Sequence, residues 1–375
     1  MLDGIHLTLL IGPLPLPLPA PLALVEALQS VQVTTQRDLT GFQLKFSVGK
    51  LSPIQTSLLP AGFLDPMVTR VVVIVTFRGQ PQVIADGVVT RHEVSPANEP
   101  GQSSLTLTGE DLSVLMGLAE KKVEYHSMPD SAKVAIILSA YAAYGIVPRV
   151  IPPLVDTVDS PTSKFELQTG TDLEFIKGIA SRCGYTFHVE AGPAPRQSTA
   201  YFGPDVSPPP PQPALSVNSD WATNVESLSF RLDGLAKTLT MLTILDPIKQ
   251  KTQIPIPLPN IDLLKPPLGA RLTPPARLRF ADDVAKLPPD QAAKRAFGLL
   301  REGADAVSGS GSLSVTRYGS ILKARSLVGV RGAGLAYDGL YYVESVTHNL
   351  KRGEYQQSFT LARDGLNSQT PAVMT

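Results

Sequence analysis

The chain has 375 residues, enough for roughly two to three domains with cores of their own, and 43% of them are hydrophobic, which excludes a disordered polypeptide. Its 33 basic residues balance 33 acidic ones, so it lacks the cationic excess that neutralises phosphate backbones, and no nucleic-acid recognition is expected. A single cysteine, Cys183, excludes an internal disulfide framework and a cysteine-rich metal site.

In chain order, residues 1–28 hold a short strand, His6 to Ile11, followed by an apolar stretch with prolines at 13, 15, 17, 19 and 21. Prolines at every second position remove backbone donors, so neither a membrane-spanning helix nor a secretory signal is expected. The stretch reads as an extended polyproline-like arm lying against protein. Residues 29–117 read as a first β-domain. Val31–Thr34 and Phe42–Val48 alternate with period two, and the β-branched run Val71–Phe77 suits a strand buried on both faces. Arg78–Pro81 forms a turn, Val83-Ile84 and Val88-Val89 continue the sheet, and Leu105–Thr108 closes it.

The period changes over residues 118–203, which read as an inserted α+β unit. One helix starts at Pro129, places Val134, Ile137, Leu138, Tyr141 and Tyr144 at helical spacing, and ends at Gly145. A second opens on a capping box, Thr171 with Glu174, presents Leu173, Ile176, Ile179 and Ala180 on one face, and stops at Gly184. Cys183, in its last turn, is expected to be a buried structural thiol. Tyr185–Val189 and Thr199–Phe202 read as a hairpin. Residues 204–245 are a proline-dense linker and strands, including Val225–Leu232, that join a second β-domain. Residues 246–307 are proline-rich, with no fold assigned before a helix from about Asp290 to Glu302 that carries Ala293, Ala296, Phe297 and Leu300 on one side. Ser308–Ser312 is expected to be flexible, residues 308–366 to complete the second β-domain, and 367–375 to form a tail.

The chain repeats itself. Thr90-Arg-His92, a loop and Ser104–Leu112 return as Thr347-His348, a loop and Ser358–Leu366, with Ser104 matching Ser358, Leu105 matching Phe359, Thr106 matching Thr360, Leu107 matching Leu361 and Leu112 matching Leu366. A unit repeated at this range implies two copies of one β-domain. If such a chain trimerises, its two like domains form a six-part ring.

Ile321–Gly332, Tyr337–His348, Gly353 and Phe359–Leu361, together with the helix-then-strand segment Thr171–Phe187, resemble the late control D hub family, which includes phage tail hubs and the hub part of VgrG-type proteins. The resemblance spans roughly residues 28–366. It implies an α+β, mainly β fold with two tube-protein-like β-barrel domains in one chain and an inserted α+β domain. It further implies a homotrimeric baseplate hub, assembled in the bacterial cytoplasm as part of a tail or injection particle. Such a hub contacts an inner tube protein, a spike protein and other baseplate proteins. VgrG-type proteins continue into a needle, whereas this sequence stops nine residues after Leu366, so the spike is expected to be a separate polypeptide.

Chemical motifs are scarce. Ser320-Ile-Leu-Lys323 matches S-x-x-K, but among strand residues positions i and i+3 face opposite ways. Gly332-Ala-Gly334 lacks the following helix N-terminus that an anion needs and reads as a turn. The histidines His6, His92, His126, His188 and His348 have no metal-ligand spacing, and His92 and His348 occupy similar places in the two repeats. Asp282-Asp283 and Glu110-Asp111 are adjacent pairs, not a separated acid and base. Trp221, the sole tryptophan, is expected to pack. No catalytic residue, metal or cofactor is expected, and no transmembrane span. A tail-associated cell-wall-degrading enzyme and an all-β glycan-binding module remain the alternatives. Ring or tube contacts are assigned to the repeated hairpins through Val88, Thr90, Leu105, Leu107, Val346, Thr347, Phe359 and Leu361.

Overall fold

The computed structural model describes residues 4–99, 102–153, 156, 166–205, 210–245, 253–257, 267–281, 299 and 305–369. The chain opens with β1 (Ile5–Pro13), β2 (Leu18–Pro19) and a short helix α1 (Leu22–Ala27), followed by β3 (Leu28–Thr35), β4 (Thr40–Ser47), β5 (Thr69–Phe77), β6 (Gln80–Ser95) and β7 (Ser104–Asp111). The helical section holds β8 (Glu120–Tyr125), α2 (Asp130–Ser139), β9 (Ile146–Val150), β10 (Glu166–Thr171), α3 (Asp172–Cys183), β11 (Thr186–Ala191) and β12 (Ser198–Gly203). Next come β13 (Gln212–Ser216) and β14 (Ser227–Leu232), then β15 (Thr238–Leu245), β16 (Gln253–Pro257), β17 (Gly269–Leu272) and β18 (Arg277–Ala281). The chain closes with β19 (Val307–Ser314), β20 (Leu327–Arg331), β21 (Gly339–Lys351), β22 (Glu354–Arg363) and β23 (Gly365–Ser368). The fold is mainly β, as the sequence reading has it.

Thirteen strands form one sheet in the order β14-β19-β22-β21-β3-β4-β7-β6-β5-β1-β2, with β20 on β21 and β13 on β20. Two sets of six can be read from it: β3-β4-β7-β6-β5-β1 and β14-β19-β22-β21-β20-β13. They match in spatial order and in sequence order. Every pairing inside each set is antiparallel except β13 on β20, which is parallel where β1 on β5 is antiparallel. Each set also carries a register bulge in its long hairpin, between Val89 and Arg91 in one and between Val343 and Ser345 in the other. A bulge bends and twists a strand locally, so both long strands are re-aimed at nearly the same point.

One hydrophobic core runs through both sets, from Ile5 to Leu366. The β5 run is buried on both faces along almost its whole length, as its unbroken β-branched pattern requires. A second core lies under α2 and α3, where Val134, Ile137, Leu138, Ile176, Ile179, Phe187 and Phe202 are buried together. The second expected helix keeps its boundaries: Thr171 and Glu174 form the capping box, and Gly184 ends α3 in the left-handed region at φ 68°. The first, expected to run to Gly145, is α-helical only to Ser139, and Ala142–Tyr144 form a separate tight turn before Gly145. Cys183 is buried.

Two readings of the sequence are corrected. The N-terminal stretch is not an extended arm. It doubles back, pairing Leu10 with Pro19 and Ile11 with Leu18, and then forms α1. The prolines that ruled out a long helix sit at the end of β1, in this hairpin turn, on a two-residue edge strand and just before α1, where a missing donor is tolerated. Ser308–Ser312 is not flexible but lies within β19. A Cβ at Gly309 would come within 2.9 Å of the Phe230 ring, and one at Gly311 within 2.7 Å of the Phe359 ring. These glycines make room for aromatic rings inside a strand. The expected helix 290–302, with Ala293, Ala296, Phe297 and Leu300, lies outside the described residues.

Candidate assembly interface

The two six-strand sets meet where β21 pairs antiparallel with β3, with Val346 opposite Thr35, His348 opposite Val33 and Lys351 opposite Ser30. β21 can do this because it is longer than its neighbour β20. Residues Gly339–Tyr342 pair with β20, and the rest of the same edge is left for β3. Side chains reinforce the backbone ladder, and the Thr34 and Thr347 hydroxyls lie 3.1 Å apart. At one end Asp205 accepts from Tyr342 Oη at 2.7 Å and from Arg37 Nε at 2.8 Å, while Arg325 Nε donates to Arg37 O. Burial, followed by the neighbouring Asp205 carboxylate, pushes the Tyr342 phenol well above its ordinary value, so it stays a donor.

His348 sits buried at this junction. The Gln357 oxygen accepts from Leu322 N, so its amide nitrogen faces His348 and donates to Nδ1 at 3.2 Å. Nδ1 also lies 2.8 Å from Tyr355 Oη, and burial disfavours the charged form, so the ring is neutral. Burial lowers the His348 pKa to about 4. Its place in the duplicate is not that of His92. His92 lies opposite Leu107, but the position opposite the matching Leu361 is Val343, and His348 lies opposite Gln357. The two histidines lie on equivalent strands at different positions.

A buried guanidinium ties the helical section to the sheet. Arg70 on β5 places Nε and Nη2 each 2.7 Å from the Asp86 carboxylate on β6. It also donates to the carbonyls of Pro15, Tyr144 and Arg196, and Ser198 Oγ donates to Asp86. Under α2, Lys133 bonds Glu166 at 2.5 Å and Asp130 at 3.2 Å. Burial lowers its pKa, but these carboxylates outweigh burial, so the net shift is upward. Asp172 accepts from Lys121, Tyr141 and Gln168. Burial raises its pKa, but those bonds prevail and the carboxyl is held below its ordinary value. Each cluster satisfies its own charges, an arrangement that positions elements.

A cavity of about 430 Å³ opens between the first set, the β11–β12 hairpin and the loop before β20. Its titratable lining groups are Glu190, Lys323, Arg325 and His348. His348 Nδ1 is already held by Tyr355 and Gln357. Ser320–Lys323 lies in this loop and not in a strand as the sequence reading has it, with Ile321 and Leu322 buried. Among the described residues, no group of three or more metal-binding side chains occurs, and no helix is long and apolar enough to cross a membrane.

Of the residues assigned to contacts from sequence, Val88, Leu105, Leu107, Val346, Phe359 and Leu361 are all buried within the chain. They form the frame of the hairpins and not their outer surface. Thr90 and Thr347 are half-buried, and Thr347 lies on the β21–β3 junction. Trp221 does not pack: it is 96% exposed on a short turn between β13 and β14. The junction itself went unread, although one signal for it exists. The second long strand outruns its partner β20, so part of its edge must pair elsewhere.

Comparison with known proteins bears on the fold. No protein-family model matches the chain, and no curated protein sequence does. Among solved structures it is similar to a tail protein from Neisseria meningitidis MC58, with a TM-score of 0.62 at 12% identity, over 96% of this chain and 98% of that one. It is similar to a chain of the Francisella PdpA-VgrG complex, with a TM-score of 0.62 at 10% identity, over 100% of this chain and 60% of that one. A third is the E. coli c3393 protein, a type VI secretion component described as structurally similar to T4 tail proteins gp27 and gp5, with a TM-score of 0.51 at 11% identity, over 93% of this chain and 77% of that one. The chain thus has the fold of phage tail and type VI secretion proteins.

Proposed function

We propose that the chain is a structural baseplate hub of a phage tail or contractile injection system. Three copies form a ring of six similar sheet units, each chain contributing two tube-protein-like barrels with the α+β section inserted between them. One face of the ring starts the sixfold inner tube, and the other seats a threefold spike. The observation that carries this reading is the duplicated strand order, since a threefold particle presents six like surfaces only if each chain holds two. The likeness to tail and secretion proteins along nearly the whole chain supports it. No catalytic residue is assigned.

Sedimentation of the purified chain, followed by co-expression with candidate tube and spike proteins from the same gene neighbourhood, tests the proposal. A particle of three 40.0 kDa chains that captures both partners is expected. A chain that stays monomeric and captures neither contradicts it. The glycan-binding alternative has one observation in its favour, the exposed indole of Trp221. Binding to surface polysaccharide that Trp221→Ala abolishes would favour that reading over the hub.

A further inference from the structure

The β21–β3 junction has a counterpart in which, among the described residues, the two edges are not paired with each other. In the duplicated order β6 stands for β21 and β14 stands for β3. As in β21, the first half of β6 is paired on that edge: Gln80–Val88 lies on β5. Residues Arg91–Ser95 pair with β7 on their other side, and among the described residues no strand covers their outer edge. Among the described residues β14 ends the sheet and pairs with β19 alone.

The hydrogen-bond phase of these edges agrees. Gln36 N bonds Leu39 O, in register with the β3–β4 ladder, so Val31, Val33 and Thr35 turn their amides away from β4 toward β21. Asp233 N bonds Ala306 O in register with β14–β19, so Leu228, Phe230 and Leu232 turn theirs to the open edge. Val31 and Phe230 are equivalent, because they oppose Leu44 and Gly309, which oppose Leu107 and Leu361. On β6, Val48 N bonding Ser103 O sets the phase of β7 so that His92 and Val94 face outward. Val94 is 38% exposed and Leu232 40% exposed.

We propose that the outer half of β6 adds antiparallel to β14 of a second copy of this chain, repeating between chains the β21–β3 contact within one. This rests on the ring reading above and names the surface that closes it. The two edges differ, so the contact is head-to-tail and closes only as a ring. Internal and external junctions then alternate around six units. Equivalence places Ser95 opposite the second copy's Asp233, as Thr347 lies opposite Thr34. Pro96, at the place of His348, removes one donor. The external junction therefore has fewer main-chain bonds than the internal one.

Cysteines at Ser95 and Asp233 in the same chain test the register, with Thr34→Cys and Thr347→Cys as an internal control. Oxidation is expected to lock three chains covalently in the first protein and to join none in the control, whose bond stays within one chain. A particle of three chains that refuses the 95–233 bond while the control pair oxidises would overturn the inference and leave the trimer standing. A chain monomeric under all conditions would overturn both. Val94→Pro offers an independent arm, because it removes an amide that faces only the open edge. Trimers should fall to folded monomers of unchanged circular dichroism, and an undiminished trimer would count against the proposal.

Discussion

Replacing Arg70 with methionine is expected to loosen the helical section while leaving the duplicated sheet intact. The side chain is 1% exposed and makes two short bonds to Asp86, plus bonds to three carbonyls on separate segments. Methionine keeps most of the volume but strands the Asp86 carboxylate, with Ser198 Oγ at 3.1 Å left as a donor. Removing one partner of a buried pair costs about 3–5 kcal/mol. If that cost falls on local opening, exchange at the segments Arg70 holds rises by about 100- to 5,000-fold. Hydrogen–deuterium exchange read by mass spectrometry is the assay. Peptides covering Tyr144–Val150 and Arg196–Ala200 should lose protection, while those from β22 should not. Arg70→Met with Asp86→Leu should recover much of the loss, because no charge is left stranded. A rise under about tenfold at those segments, or a double variant worse than the single one, would refute the reasoning.

Three further outcomes are expected. Gly311→Ala places a methyl 2.4 Å from Ser227 O, so the urea midpoint should fall by the equivalent of about 1–3 kcal/mol, and an unchanged midpoint would show that β19 has slack. His348 is neutral in the fold, with a pKa near 4 against an ordinary 6.5. Its stabilisation is complete above pH 6.5 and is lost as pH falls toward 4, on the order of 3 kcal/mol in all. Urea midpoints at pH 7 and 4.5 should therefore diverge more for the native chain than for His348→Gln, and parallel behaviour would contradict the buried neutral ring. Thr171→Ala should cost about 1 kcal/mol and raise exchange in the first turn of α3, unless water replaces the cap without loss.

Much of the strand plan was legible because period-two patterns survive wherever one face is buried. The repeat was visible in β7 and β22, where Leu105 and Leu107 face Phe359 and Leu361 across the alignment. It was hidden in the neighbouring strands because volume has moved between them. Val31 and Leu44 fill the space that Phe230 fills alone over Gly309. A Ser-Gly run then looks like a linker when read alone, though it is a strand shaped by its neighbours' rings. The same dependence on partner strands explains the N-terminal stretch, where β1 lies on β5 and the doubled-back Leu18 and Pro19 pair with the other edge of β1. Trp221 was misread for a different reason: hydrophobicity places an indole inside only when a neighbour covers it, and the turn Asp220–Ala222 offers none. The alternating pattern that singles out the contact residues marks what faces the core. An assembly edge is defined instead by backbone groups left unpaired, and these become apparent only when strand lengths are compared within the sheet.

Duplication of the sheet unit is proposed to let three chains present a sixfold surface. Electron cryo-microscopy of the purified particle, viewed down its axis, measures this directly. Three chains and six near-equal sheet units are expected, with the β21–β3 contact alternating with a β6–β14 contact of the same form. A closed dimer, or a trimer whose two sets lie at different radii, would contradict the proposal.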